Sequence, residues 1–308
     1  MIALVATALL AAPAVGQGPL DFTAQRMRME PHEGRTLLDG AVRLSRGGMV
    51  VTGDRAVVEF ASEQTSRAAP RNRVRSGHEQ STLLGQKIDR FTVDGNVHVQ
   101  RGNRTADGTR GVFDANAQTL VLTGDGKEDP VLRDGSETLT GDRIVMRVDT
   151  EDVDVQKPRL VLRRSAPDAQ AAAQPPTRVE AARLSLDRSA RLARFNDDVV
   201  VRRGDLVVRG PRMDAHYDSS GQLTNLYLRG GVEVRQGDRR AEAQNADYDA
   251  RTRELILTGD PRLLDRGDVL AGERIALTVD SHEVRVERAH GRLRPEAHQD
   301  ETRTGAKR

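Results

Sequence analysis

Two stretches decide how this 308-residue chain reads. The first is Gly95-Asn96-Val97-His98-Val99-Gln100-Arg101-Gly102-Asn103-Arg104-Thr105-Ala106-Asp107. The second, 135 residues on, is Gly230-Gly231-Val232-Glu233-Val234-Arg235-Gln236-Gly237, with Arg239, Ala241 and Glu242 in step. Each leads to an aromatic–Asp pair, Phe113-Asp114 or Tyr248-Asp249. Each then reaches a last alternating run, Leu120-Val121-Leu122-Thr123-Gly124-Asp125 or Leu255-Ile256-Leu257-Thr258-Gly259-Asp260. Between residues 87 and 125, thirteen of thirty-nine positions are identical to their counterparts, which marks an internal duplication.

The match extends outward with changed offsets. Upstream, at 157 residues, Val42, Leu44, Gly53 and Phe60 fall on Val199, Val201, Gly210 and Tyr217. Downstream, at 131, Gly141, Arg143, Ile144, Val153 and Val155 fall on Gly272, Arg274, Ile275, Val284 and Val286. The difference between the first two offsets puts 22 extra residues in copy one, in a polar stretch over about 62–85 that reads as a surface insertion. The organisation expected is copy one over 17–164, an Ala/Pro-rich linker or loop over 165–177, copy two over 178–290 and a polar tail over 291–308.

Within each copy the hydrophobic period is two, as in Val97-His98-Val99-Gln100 and Val232-Glu233-Val234-Arg235, so half-buried strands are expected. Strands of four to seven residues are expected between turns such as Asp94-Gly95-Asn96, Arg101-Gly102-Asn103 and Asp265-Arg266-Gly267-Asp268. No amphipathic helix exceeds two turns, and the class is an all-β stack, roll or barrel. Phe60, Phe113, Tyr217 and Tyr248 recur at strand ends, three of them followed by Asp. Two explanations stand: rings plugging each corner with Asp capping the turn, or a ladder of rings lining a ligand slot.

Composition removes several functions. The charged residues nearly balance, 48 Lys plus Arg against 46 Asp plus Glu, with signs interleaved, so a nucleic-acid partner is not expected. The absence of cysteine excludes disulfides, thiolate metal sites and thiol catalysis. The seven histidines are scattered without metal-ligand spacing, and no catalytic or cofactor-binding constellation emerges. Without Trp and with three Tyr, a carbohydrate-stacking face is not supported. At the N-terminus, Ile2–Ala12 is apolar apart from Thr7 and too short to span a bilayer. With small residues at Ala14 and Gly16, residues 1–16 read as a signal peptide that lacks its usual leading basic residue.

In order and spacing, both quoted stretches resemble the OstA-like family of periplasmic lipopolysaccharide-transport proteins, over about 22–156 and 179–288. The family includes the periplasmic bridge protein, its inner-membrane-anchored partner and the N-terminal part of the outer-membrane translocon. The resemblance implies a β-jellyroll open at both ends whose interior holds acyl chains, with units stacked head to tail across the periplasm of a Gram-negative bacterium. Carried over by match, the groove-lining residues are Val42, Leu44, Val97, Val99, Phe113, Leu120 and Leu122 in copy one. In copy two they are Val199, Val201, Val232, Val234, Tyr248, Leu255 and Leu257. Arg104, Arg143, Arg239 and Arg274 are candidates for phosphate at the rim. The chain departs from the usual bridge protein in having two such units. Lipopolysaccharide carriage is the leading expectation, with inner- and outer-membrane jellyroll proteins as partners. The alternative is an envelope scaffold whose repeats fill their own core and polymerise through edge strands.

Overall fold

The computed structural model describes residues 20–61, 82–83, 86–163, 175–278 and 283–292. The leader expected over 1–16 lies outside these residues, as do most of the insertion, the linker and the tail. The chain begins with β1 (Asp21–Thr23) and β2 (Arg26–Glu30). A meander follows of β3 (Arg35–Arg46), β4 (Met49–Phe60), the two-residue β5 (Thr82–Leu83), β6 (Gln86–Arg101) and β7 (Arg104–Asp114). Short strands come next: β8 (Thr119–Thr123), β9 (Val131–Asp134), β10 (Glu137–Thr140), β11 (Arg143–Arg147), β12 (Val153–Gln156) and β13 (Arg159–Leu162). The pattern then recurs. After β14 (Thr177–Glu180) and β15 (Arg183–Asp187) comes a second long meander, β16 (Leu192–Arg203), β17 (Leu206–Tyr217), β18 (Leu223–Gln236) and β19 (Arg239–Asp249). It ends in β20 (Glu254–Thr258), β21 (Arg262–Asp265), β22 (Asp268–Ala271), β23 (Arg274–Thr278), β24 (Val284–Glu287) and β25 (His290–Arg292). All pairings are antiparallel, and no α-helix occurs among the described residues.

Each long strand serves two sheets. The first half of β3 pairs with β2 and its second half with β1; the second half of β7 pairs with β8 and its first half with β9. One sheet therefore runs through β2, the near halves of the long strands, β8, β11, β12, β15, β20, β23 and β24. The other runs through β1, the far halves, β9, β10, β13, β14, β21, β22 and β25. The result is a β-jellyroll with one spine, where the chain passes between sheets, and one mouth, where the hairpin turns of the two sheets face each other.

At the spine the structure corrects the sequence reading. Asp94-Gly95-Asn96 is not a turn between short strands but the middle of the 16-residue β6, where two residues face one on β7. Gly95 has φ +77° and Asn96 φ +47°, and this pair of left-handed residues makes a bulge that redirects the strand. The same device recurs at Gly40-Ala41, Asp197-Asp198 and Gly230-Gly231. Glycine–Asp clusters that resemble hairpin signals thus bend strands here, because the partner strand carries the ladder past them. A Cβ on Gly95 would meet the Asp54 carboxylate, which accepts a hydrogen bond from Asn96 Nδ2 at 2.8 Å. Gly95→Ala should cost about 1–3 kcal/mol, read as a shift of the urea midpoint, from backbone strain together with that contact.

The two halves of the chain do not form separate rolls. β12 pairs with β15 from Val153↔Leu186 to Gln156↔Arg183, and β13 pairs with β14 from Arg159↔Glu180 to Leu162↔Thr177. Both sheets therefore continue without a break through the junction. At the expected corners, Asp114 accepts from the backbone N–H of Asn116 and Ala117, Asp218 from Ser220 and Gln222, and Asp249 from Arg251 and Thr252. Phe113, Tyr217 and Tyr248 are buried beside them and Phe60 is half-buried, so the rings act as corner plugs.

Candidate functional site: the seam between the sheets

Paired residues on neighbouring antiparallel strands share a face, so registers can be read across the whole roll. In the near sheet one row runs Met27, Leu38, Ala56, Val93, Gly111, Leu122, Ile144, Val155. It continues Leu184, Phe195, Met213, Leu228, Ala246, Leu257, Ile275, Val286. In the far sheet a second row runs Phe22, Leu44, Val51, Val99, Ala106, Leu132, Leu139. It continues Leu160, Val179, Val201, Val208, Val234, Ala241, Leu263, Leu270. Neither row contains a polar side chain. Both face the same interior, where they join one apolar cluster.

Of the fourteen sequence-derived lining residues, thirteen are buried and Val201 is half-buried against the same cluster. Leu122 and Leu257 are fully enclosed, and Val42, Val97, Val199 and Val232 sit at the spine bulges. Sequence reasoning missed the junction residues Leu132, Leu139, Leu160 and Val179, which carry the far row between the copies. Their strands have four residues each and lie beyond the repeated motif, though the alternation in Thr138-Leu139-Thr140 and Arg159-Leu160-Val161-Leu162 was there to be found.

Among the described residues the seam shows only small pockets between the sheets and is open at its first strand. Pockets lined by both sheets have volumes of about 90, 30 and 20 Å³. All are smaller than an engineered apolar cavity of roughly 150 Å³ that takes up benzene. The largest lies between Val99, Ala106 and Leu132 of the far sheet and Leu120, Met146 and Val153 of the near sheet. At the start of the roll β2 pairs only with β3. Met27 and Met29, which belong to inward-facing registers, are therefore left 42% and 49% exposed.

A polar lip borders the mouth. In successive registers the outermost row of the far sheet reads Arg46, Met49, Arg101, Arg104, Asp134, Glu137. Arg104 Nε donates to Asp134 Oδ2 at 2.7 Å, and the second-copy counterpart, Arg239 Nε to Asp265 Oδ2, has the same length. Arg143 is exposed, and Arg274 Nη1 donates to Glu287 Oε1 at 3.0 Å. The lip thus gathers Arg104 and Arg239, while Arg143 and Arg274 stand on the spine side. Across the mouth, the turn between β11 and β12 presents Glu151, whose side chain is 10% exposed. Its carboxylate contacts Arg101 at 3.4 Å, Arg104 at 3.8 Å and Arg188 more closely still. Burial, and then the neighbouring Arg104 guanidinium, lower the proton affinity of both Arg101 and Arg188.

Glu137 lies beside Asp134 as a second buried acid of this row. Burial, with the Asp134 carboxylate second, pushes its pKa up to about 8, and Glu137 in turn adds to burial in raising the Tyr217 phenol. The folded protein holds this proton where the unfolded chain, ionising near 4.5, releases it. Folding therefore loses up to about 1.4 kcal/mol for each pH unit across that window, the loss growing as pH rises. Glu137→Gln should flatten this decline, so that urea midpoints at about pH 5 and pH 8 converge relative to the unsubstituted protein.

Residues 21–152 and 178–283 match the family described as LptA/(LptD N-terminal domain) LPS transport protein. The chain belongs to this family. Among solved structures, the chain is similar to LptH from Pseudomonas aeruginosa, the LptA-homologous periplasmic component of the conserved lipopolysaccharide transport device. The two share 19% identity over 39% of this chain and 96% of LptH, with a TM-score of 0.36. No curated protein sequence matches the chain.

Proposed function

We propose that this protein is a non-enzymatic carrier that holds lipopolysaccharide acyl chains in the seam between its two sheets, as a segment of a periplasmic bridge to the outer membrane of a Gram-negative bacterium. The observation that carries the reading is the pair of unbroken apolar rows, which cross the junction between the copies without a polar side chain. A core needed only for stability would also be apolar in this register, but it does not require the rows to cross the junction between the halves unbroken. A ligand passed lengthwise requires it. Chains enter by separation of the sheets at the mouth, while the bulged spine stays paired. Half-exposed Met27 and Met29 are where another family member, or a second copy of this chain, would continue the seam.

The closed state favours a second reading, an envelope scaffold whose seam is filled by its own side chains and whose edge strands polymerise. The two separate on one experiment. Protein purified from a Gram-negative envelope and analysed by mass spectrometry should carry lipopolysaccharide or another acylated amphiphile, and stripped protein should rebind it. Folded protein that neither retains nor rebinds any amphiphile leaves the scaffold.

A further inference from the structure

The mouth ions at the middle of the roll are more deeply buried than the comparable cluster of Arg209, Arg235 and Arg240 around Glu233. Three guanidiniums, from Arg101, Arg104 and Arg188, converge on one carboxylate, Glu151. Asp134 takes up part of Arg104, yet Arg104 Nη2 is buried with no hydrogen-bond partner. A buried donor left unpaired costs free energy, and a guanidinium fork suits two oxygens of one anion. Glu151 itself sits at φ +61°, a left-handed conformation uncommon for a residue with a side chain. The turn holds it there: Arg147 N–H donates to Asp152 O at 2.9 Å, and Arg188 N–H donates to Asp152 Oδ1 at 3.1 Å. Arg101, Arg104 and Glu151 also line the largest apolar pocket of the seam, so a cation-rich rim and a greasy floor meet at one place.

We propose that Arg101, Arg104 and Arg188 form a binding site for the phosphate-bearing head of an acylated amphiphile, with Glu151 as a tethered anion that occupies the site until the ligand displaces it. This rests on the acyl-carriage reading and adds the site of head-group recognition and its internal competitor. Displacement of Glu151 also removes ion pairs that join the two sheets across the mouth. Head-group binding and opening of the apolar pocket beneath it are therefore the same event. The charge count supports phosphate: with Asp134 counted, Glu151 leaves the three guanidiniums one positive charge in excess, and a dianion in its place neutralises them.

The test compares oleoyl lysophosphatidic acid with monooleoylglycerol, which has the same chain and no charge, by calorimetric titration of the full chain. Glu151→Gln should tighten lysophosphatidic acid about tenfold, the scale of one charge-assisted hydrogen bond. It should tighten monooleoylglycerol by clearly less, since that ligand gains only the easier opening, and Arg188→Gln should weaken only the phosphate ligand. Should Glu151→Gln fail to fold, Glu151→Gly suits the +61° backbone and removes the same carboxylate. Equal responses of the two amphiphiles to these substitutions overturn the head-group site while leaving acyl carriage standing. Binding of neither overturns both. Inorganic phosphate is the third arm: it should compete only at far higher concentration, and parity with lysophosphatidic acid would make this a free-anion site and end the proposal.

Discussion

Protein carrying Met49→Cys and Val148→Cys, closed by a short bifunctional methanethiosulfonate linker, should take up no lipopolysaccharide, and reduction of the linker should restore uptake. Met49 lies on the lip of the far sheet, Val148 follows β11 at the end of the near sheet, and both line the same two pockets. The natural chain has no cysteine, so the linker can join only these two positions. Because the largest pocket described along the seam is about 90 Å³, the proposed carriage requires the sheets to part before acyl chains can enter. Tethering the mouth prevents that parting and leaves the hydrogen-bonded spine untouched. A centrifugation or native mass assay before linking, after linking and after reduction reads the effect. Full uptake by the linked protein would show that ligand does not enter between the sheets here.

The second large effect concerns stability. Ile144→Asp should lower folding free energy by more than about 4 kcal/mol, enough to leave much of the chain unfolded in water. Ile144 has no exposed surface and sits between Leu122 and Val155 in the near row. A carboxylate there has no cation within the seam and no water to hydrate it. Val286→Asp makes the same chemical change in the same row, but on the last strand of that sheet, where the side chain is half-buried. Its cost should stay below about 1.5 kcal/mol, because one side of the residue can still be hydrated. Urea midpoints of the two variants measure the contrast, and similar values would mean that the interior is not sealed at its middle.

Much of this architecture was legible in the sequence because two registers of information agreed. Alternation in Val97–Val99 and Leu255–Leu257 fixed the inward face, and the duplication showed that the face recurs. The aromatic–Asp pairs marked corners, since an Asp after a buried ring caps a turn by local chemistry alone. What misled was Asp94-Gly95-Asn96. Left-handed residues signal a tight turn or a bulge equally well, and only the partner strand decides which. The junction was illegible for a different reason. Pairing between β12 and β15 joins segments that share no motif, and nothing local announces a partner about thirty residues away. The Glu151 cluster was missed because the Arg101–Arg104 hairpin, Glu151 and Arg188 are distant in sequence and meet only when the sheets close. Arg104 was flagged through its recurrence as Arg239, which shows its place on the lip but not the acid opposite it.

The central claim is that one apolar path runs through both halves of the molecule, and site-specific photocrosslinking tests it most directly. Benzoylphenylalanine placed singly at Met146, Val201 and Leu226, partly buried positions in the inward registers, should capture lipopolysaccharide at all three. The adjacent positions Val145, Val200 and Tyr227 point to the opposite face and should capture none. Crosslinks that appear at the outward positions, or that stop at Met146 and never reach Leu226, would contradict a continuous seam.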